Sequence, residues 1–377
     1  MRDIAIIGAG VAGMTMALCL LERGHRVTLY ERGSPGTGIG GGFVLWPDAM
    51  AVLRRLGIAH SVLESAGRIV DMQRLDAAGA PLQRIMLGNP ESRTEDAPHA
   101  LLRRDLMAVL TATAVERGAT VHYQRGVRDM QMSDGCVRLV FGDGSAHGHD
   151  LVVGADGRMS SVARRFVAGH NAPTYQGFIN WIGVSELPAG RLQPGRIVDL
   201  WGVGHRFGYV PVSDSLCYWA AGMAWPQVPV DRPFVDHFAC WPEMVREILA
   251  AAPSDGIATV YVHDLDPLPV WHRDRVVLLG DAAHASLPTA GQGASQAIED
   301  ASCLAMLLEE HAEPEEAFRR FTQERQPAAA RITEQARRLA ASIFSTDPAD
   351  CRSRDARERA AAGAQPAGGQ AGETRRQ

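Results

Sequence analysis

The chain contains no lysine: all 38 of its basic residues are arginine, in a length of 377. A P-loop ATPase, a Schiff-base enzyme and a Ser-Lys hydrolase each need a lysine amine, so these classes are set aside. The six cysteines, Cys19, Cys136, Cys217, Cys240, Cys303 and Cys351, form no Cys-x-x-Cys pair. They read as free thiols in a reducing, cytoplasmic compartment rather than as a disulfide framework. Neither an HExxH motif nor a Cys/His cluster occurs, so no metal site is expected. A dominant charge is missing as well, since 38 basic groups face 43 acidic ones for a net charge of -5. No basic field draws such a chain to nucleic acid or to anionic lipid. What remains, with 46% hydrophobic residues, is a globular chain long enough for two domains.

Long apolar runs are scarce too. Residues 4–21, IAIIGAGVAGMTMALCLL, approach the length of a membrane span, yet three glycines within six residues weaken that reading. Met1, Arg2 and Asp3 set one base beside an acid with no small-residue cleavage site after them, so a secretion signal does not fit either. The run reads instead as a buried strand over 4–7, the spacing Gly8-x-Gly10-x-x-Gly13, and a helix to about Arg23 stopped by Gly24. A second strand pattern then ends in Glu31. Gly8 serves the tight turn, Gly10 lets the backbone approach a pyrophosphate, and Gly13 lets the helix pack close to the strand. The helix start offers unpaired amides and its positive dipole end to phosphates. Glu31, eighteen positions after Gly13, is placed to bind a ribose hydroxyl. The unit predicts an adenine dinucleotide site and does not by itself separate FAD from NAD.

Two later segments bear on that choice. Residues 150–164, DLVVGADGRMSSVAR, are a buried strand, then Gly-Ala-Asp156-Gly, then a helix. Residues 275–301 repeat the plan, with Gly280-Asp281 after a strand and Gly291-Gln292-Gly293 opening a long helix. Each acid lies just past the carboxyl end of a strand, where parallel sheets bind ligands, and a carboxylate there can accept bonds from a polyol such as a ribityl chain. For a single such acid an ordinary helix cap is the commoner role. Ser295 lacks the second glycine of a nucleophile elbow and reads as a first-turn helix residue.

The ordered trio resembles the ADP-binding, DG and GD motifs of single-component FAD-dependent aromatic hydroxylases, the para-hydroxybenzoate and salicylate hydroxylase group. Residues 175–181, YQGFINW, and the spacing of Arg206 and Tyr218 are most similar to the urate hydroxylase-like branch. The resemblance covers roughly residues 2–339. It implies a Rossmann-like FAD-binding domain with a parallel sheet plus a mainly antiparallel-sheet substrate domain. It further implies FAD, with NADH or NADPH as a transient co-substrate, and hydroxylation of a small aromatic or heteroaromatic ring by O2 through a flavin hydroperoxide. Epoxidation or oxidative rearrangement of a larger metabolite, or a flavin oxidase or dehydrogenase, are the alternatives. Carried over by position, Gly8, Gly10, Gly13, Glu31 and Arg32 would hold the ADP half and Arg103 would meet the flavin side. Asp156 would serve the cofactors, Asp281 the ribityl chain, and Gly291, Gln292, Gly293 and Ala294 the ring, with Pro288 beside it in a catalytic position. One departure stands out: the family places Arg three residues after the Ser of ADGxxS, where this chain has Ala163, with Arg164 next.

Because the motifs sit near the start, the middle and the last third, the FAD-binding domain must be discontinuous. Its expected parts are residues 1–68, 98–172 and 263–341, and the substrate domain is expected from 69–97 and 173–262. Residues 313–340 read helical with Pro327 as an interruption, and 342–377, rich in Ala, Gly, Arg and Gln, are expected to be disordered. The substrate pocket is expected where the second sheet faces the flavin, with Trp46, Asn180, Trp181, Arg206, Tyr218 and Trp219 as candidates. Arg206 would either pair an anionic substrate or make a salt bridge within the protein, and Tyr218 would either orient a substrate or pack as a core tyrosine. His284 in GDAAH is expected to act structurally or on the flavin side. A monomer or homodimer with no membrane span and no nucleic-acid partner completes the expectation.

Overall fold

The computed structural model describes residues 1–36, 40–88, 97–133, 135–169, 171–225 and 233–364. Parts of the two expected substrate-domain segments, 89–96 and 226–232, lie outside the described residues, as does the tail from 365 to 377.

A six-stranded sheet runs, edge to edge, through His272–Arg273, Val276–Leu278, Leu151–Gly154, Asp3–Ile7, Arg26–Tyr30 and Thr120–His122. All its pairings are parallel except that of His272–Arg273. Ile4, Ala5, Ile6 and Ile7 are all buried, the mark of a strand covered on both faces. Helices Val11–Leu21, Arg103–Glu116 and Gly293–Glu310 pack on it, and a three-stranded meander, Val127–Ser133, Cys136–Phe141 and Ala146–His149, joins the same core. Gly144 turns the last hairpin of that meander at φ 81°.

A second sheet of seven strands is ordered Ala258–Asp264, Thr174–Glu186, Leu216–Ala224, His205–Pro211, Arg196–Trp201, Asp71–Asp76 and Pro81–Met86. Its pairings are antiparallel apart from Arg196–Trp201 with Asp71–Asp76. Strand alternation divides its residues into two sets. Trp181, Phe207, Trp219 and Ala221 face a covering turn, Phe234–Phe238, and the helix Glu243–Ala251. Asn180, Ile182, Tyr218, Ala220, Gly222, Arg206 and Gly208 share the other face. That face looks toward the dinucleotide fold, since Gly41 and Gly42 abut Ile182 and Tyr218.

Two expectations about the last third are corrected. The helix Pro314–Ile343 passes through Pro327 without a break, held by packing of Phe318, Phe321 and Ala329 on the main core. Residues beyond 342 are also not all disordered, because Pro348–Ala364 is helical. Composition misleads there because polar contacts, not apolar burial, order this helix. Arg354 is 3% exposed and donates to the carbonyls of Gly202, Ser342 and Ile343. Its guanidinium lies 5.4 Å from the Trp201 ring centroid, and Arg74–Glu358 and Arg359–Asp76 pairs, each at 2.8 Å, flank it.

Replacing Arg354 by Ala leaves three carbonyls without a charged donor, and a loss of about 2–3 kcal/mol is expected. Urea unfolding of the variant checks this. A midpoint equal to the wild type would show that the helix is held by something else.

Candidate active site

The three glycine-bearing segments converge at the carboxyl ends of three neighbouring parallel strands. The Ala155 amide donates to the Ile7 carbonyl at 2.8 Å, and the Leu279 amide to that of Gly154 at 2.9 Å. Gly8, at φ 100°, lies so close to Ala155 that a Cβ would overlap its carbonyl, and a Cβ on Gly13 would overlap the carbonyl of Gly8. A Cβ on Gly10, by contrast, meets nothing within 4 Å, and the same holds at Gly291 and Gly293. Two glycines therefore close the turn while three leave an approach open above the starts of Val11–Leu21 and Gly293–Glu310. Such helix starts present free amides to anionic or electron-rich groups.

Glu31 braces this turn: its carboxylate accepts from the Ala9 amide at 2.9 Å and from the Gly33 amide at 2.7 Å. Arg32 beside it is exposed. Asp156 acts first as a helix cap. It accepts from Ser161 Oγ at 2.5 Å, the Val162 amide at 2.6 Å and the Ala163 amide at 3.2 Å. Burial pushes its carboxyl up from the ordinary range, against those hydrogen bonds. The capping serine is thus Ser161 rather than Ser160, and Arg164 stands three residues after it. Arg164, 2% exposed, donates to the carbonyls of Gly157, Arg158, Asn171 and Ala282, so it ties the second motif to the third.

Asp281 opens the short helix Asp281–His284 with its side chain 48% exposed. Arg158 reaches it at 3.8 Å, and its charge acts on Arg103, whose pKa burial lowers and Asp281 raises. The Nε atoms of both arginines are buried without a hydrogen-bond partner among the described residues. Pro288 and Gly291 are exposed, Gln292 and Ala294 half-buried. Trp46 secures their loop, donating from Nε1 to the Gly291 carbonyl at 2.9 Å and from its amide to Ser295 Oγ at 3.1 Å.

Behind the loop lies a buried charge network that sequence reasoning reached only as far as His284. His284 Nε2 stands 2.5 Å from Asp300 Oδ2, and Arg325 donates to Asp300 Oδ1 at 2.7 Å and to Glu299 at 3.1 Å. Burial pushes the imidazole down, yet Asp300 more than offsets it and the His284 pKa ends raised. Burial likewise raises Asp300, but His284 and Arg325 hold it below the ordinary carboxylate value.

The substrate-side candidates separate by face. Asn180, Arg206 and Tyr218 lie on the face toward the dinucleotide fold. Trp181 and Trp219 do not: Trp181 stacks on Phe234 at 4.9 Å, and Trp219 donates from Nε1 to Ser185 Oγ at 2.9 Å, both behind the sheet. Arg206 is held through Nε by Asp199, 4% exposed, at 2.6 Å, and Trp201 Nε1 donates to the other Asp199 oxygen at 2.9 Å. The terminal nitrogens of Arg206 have no hydrogen-bond partner among the described residues. Burial pushes the Tyr218 phenol far above its ordinary pKa, so it works as a neutral hydroxyl. Asp199 and the Asp300–Arg325 network went unread in the sequence; alternation along 196–201 and the Glu299-Asp300 pair were the signals available.

A dinucleotide turn, two further strand-end motifs beside it and a second sheet facing them define a flavin-binding oxidoreductase fold. The chain belongs to the FAD binding domain family, whose model matches residues 1–336. It is 36% identical over 375 residues to 3-amino-4-hydroxybenzoate 2-monooxygenase of Streptomyces cremeus, covering 95% of this chain and 92% of that one. It is 32% identical over 351 residues to 6-hydroxynicotinate 3-monooxygenase of Bordetella bronchiseptica, covering 87% and 89%. The crystal structure of Klebsiella pneumoniae HpxO complexed with FAD and uric acid superposes with a TM-score of 0.84 at 25% identity, over 95% of this chain and 93% of that one. The chain is a flavoprotein monooxygenase with FAD as its cofactor. No helix among the described residues is long and apolar enough to cross a membrane.

Two outcomes are expected. Arg164→Ala should unlink the second and third motifs and lower FAD affinity about tenfold, read by flavin retained on gel filtration; full retention would count against the link. The His284–Asp300 pair should also make stability depend on pH. His284's contribution is complete below 6.5 and fades as pH rises through its raised folded value; that of Asp300 is present above 3.8 and fades as pH falls through its lowered one. The stability gap between wild type and His284→Gln should therefore be widest between 3.8 and 6.5 and shrink toward alkaline pH. A gap that stays constant from acid to alkaline pH would rule this out.

Proposed function

We propose that the enzyme hydroxylates a small aromatic or heteroaromatic ring carrying an anionic group, with NADH or NADPH as hydride donor and O2 as co-substrate. The observation that carries this reading is the Arg206–Asp199 pair on the small-residue face opposite the cofactor turns. Asp199 fixes the guanidinium through Nε and leaves its two terminal nitrogens to donate, as a fork, to a carboxylate or phenolate. The relatives named above act on a hydroxybenzoate and a hydroxynicotinate, both of that chemical class.

FAD, when bound, supplies hydride uptake and the activation of O2. Gly8, Gly10, Gly13 and Glu31 would hold its ADP half; Asp281, freed from Arg158, would accept from the ribityl hydroxyls. Arg103 and Arg158 would give their unused Nε groups to its polar atoms. Gly291, Gln292, Gly293 and Ala294, with Pro288, would line the ring, their helix start favouring negative charge there. Tyr218, as a neutral phenol, would orient the substrate rather than take its proton. The two sheets together would exclude water from the reacting face. Six unpaired cysteines support a reducing, cytoplasmic setting.

Anaerobic stopped-flow reduction by NADH and by NADPH, with and without hydroxylated aromatic acids, tests the reading. One acid should accelerate flavin reduction by orders of magnitude, and Arg206→Ala should raise KM for that acid about tenfold to a hundredfold. Bleaching of the flavin by a substrate without nicotinamide would make the protein an oxidase or dehydrogenase instead.

A further inference from the structure

Trp46 reaches the loop before Gly293–Glu310 from a distant part of the chain, and its backbone is fixed there. It follows the strand Gly42–Leu45 and caps the helix Pro47–Arg55. Its amide donates to Ser295 Oγ at 3.1 Å, and its carbonyl accepts from the Met50 amide at 3.1 Å. From that backbone the indole Nε1 donates to the Gly291 carbonyl at 2.9 Å. Gly291 is left-handed at φ 62°, and glycine tolerates many orientations of the peptide that follows it. The indole selects one of them. A trans peptide is planar, with its C=O and N–H pointing opposite ways, so a carbonyl drawn toward Trp46 turns the Gln292 amide away from it. That amide and those of Gly293 and Ala294 have no hydrogen-bond partner among the described residues, and no side chain caps this helix start. A Cβ added at Gly291 or Gly293 meets nothing within 4 Å, so the space beside these amides is open.

We propose that Trp46 is a positioning residue for the flavin: by holding the Gly291 carbonyl it aims the Gln292 amide at the isoalloxazine ring and helps that ring carry negative charge when reduced. The proposal rests on the reading above of Gly291, Gln292, Gly293 and Ala294 as the segment that lines the ring. Hydride uptake from the nicotinamide adds two electrons and one proton to a neutral ring and leaves one negative charge on it. A donor already aimed at that charge stabilises the reduced form more than the oxidised one, and the helix start adds its positive dipole end at the same place. An amide left to rotate would have to be turned first, which would cancel part of the gain. The hydrogen bond therefore gives Trp46 a task distinct from filling space beside the loop.

The test is the midpoint potential of the full-length, FAD-loaded protein, read by equilibrating its flavin with a reference dye during slow reduction without substrate. Trp46→Phe keeps a ring but loses the donor. Its potential should fall by about 30 mV, a tenfold loss of preference for the reduced flavin in a two-electron couple, while FAD stays bound. Trp46→Gln loses the ring but carries an N–H the same number of bonds from the backbone, so it should hold the wild-type potential. A role in packing alone predicts the reverse order. Trp46→Phe at the wild-type potential, or Trp46→Gln lowered as far as Trp46→Phe, overturns the assignment. If Trp46→Phe does not retain FAD, Trp46→Gln decides alone: the wild-type potential supports the assignment and a lowered one overturns it. Gly293→Ala tests the underlying reading separately, because its Cβ enters the open space. It should weaken FAD binding about tenfold or more if the ring lies there. Unchanged FAD binding in that variant overturns the ring-lining reading, and the Trp46 assignment with it.

Discussion

Everything at the cofactor end depends on backbone meeting backbone where no side chain fits. Gly8 packs on Ala155, Gly13 packs on Gly8 itself, and Gly280 brings the third motif against Ala12. These contacts are short because the partners are main-chain atoms or a methyl group, so a Cβ cannot be absorbed by a rotamer change. It would push one strand end away from its neighbour. The amide-rich turn, Asp156 and Asp281 occupy one region only while that seam is closed. Arg164 reinforces it with donors to both later motifs. Burying an arginine for that purpose is costly unless its donors are used, and four carbonyls use them.

The second sheet solves a different problem, which is to be rigid behind and roomy in front. Its back carries Trp181, Phe207 and Trp219, stacked and covered by a helix. Its front carries glycine and alanine at neighbouring positions, with charge admitted only as a fixed pair. Asp199 has both oxygens engaged, by Arg206 and Trp201, so the buried carboxylate is satisfied and cannot swing. Removing Asp199 would leave a half-buried cation with no anchor, while removing Arg206 would leave a buried carboxylate with one partner. Each change costs more than the pair itself contributes. The Arg206 guanidinium is therefore fixed through Nε before any ligand arrives.

The motifs were legible because their demands are local: a glycine is needed where a turn closes within a few residues, and spacing alone reveals it. The pocket was less legible. Trp181 and Trp219 were drawn into it by their chemistry, yet parity along the strand puts them opposite Asn180 and Tyr218, and parity was available in the sequence. The offset from Ser160 to Ser161 was not, because only the closed cap shows which hydroxyl reaches Asp156. The segment after 342 misled for a physical reason. Low apolar content predicts disorder when burial must supply the free energy. Here a single desolvated arginine, satisfied by three carbonyls and an aromatic face, supplies the order that burial does not.

That arginine also lies at the end of a connected chain of contacts. Arg354 rests on Trp201 with Arg74, 4.8 Å from the ring, as the second cation over the same ring; Trp201 donates to Asp199; Asp199 holds Arg206. The same guanidinium fixes the carbonyls of Ser342 and Ile343, and the next residue is Phe344, whose ring lies on Gly222 and stacks on Phe178. Trp201 and Phe344 are thus both anchored to the helix Pro348–Ala364, the first by the Arg354 guanidinium and the second through its neighbour Ile343. Packed interiors transmit displacement rather than absorb it. A shift of this helix would move Trp201 and Phe344 together, and with them Leu287 and Ala290 of the loop before Gly291, which pack in the same cluster. The helix after residue 347 is therefore coupled, through one apolar cluster, to the loop that opens the helix Gly293–Glu310.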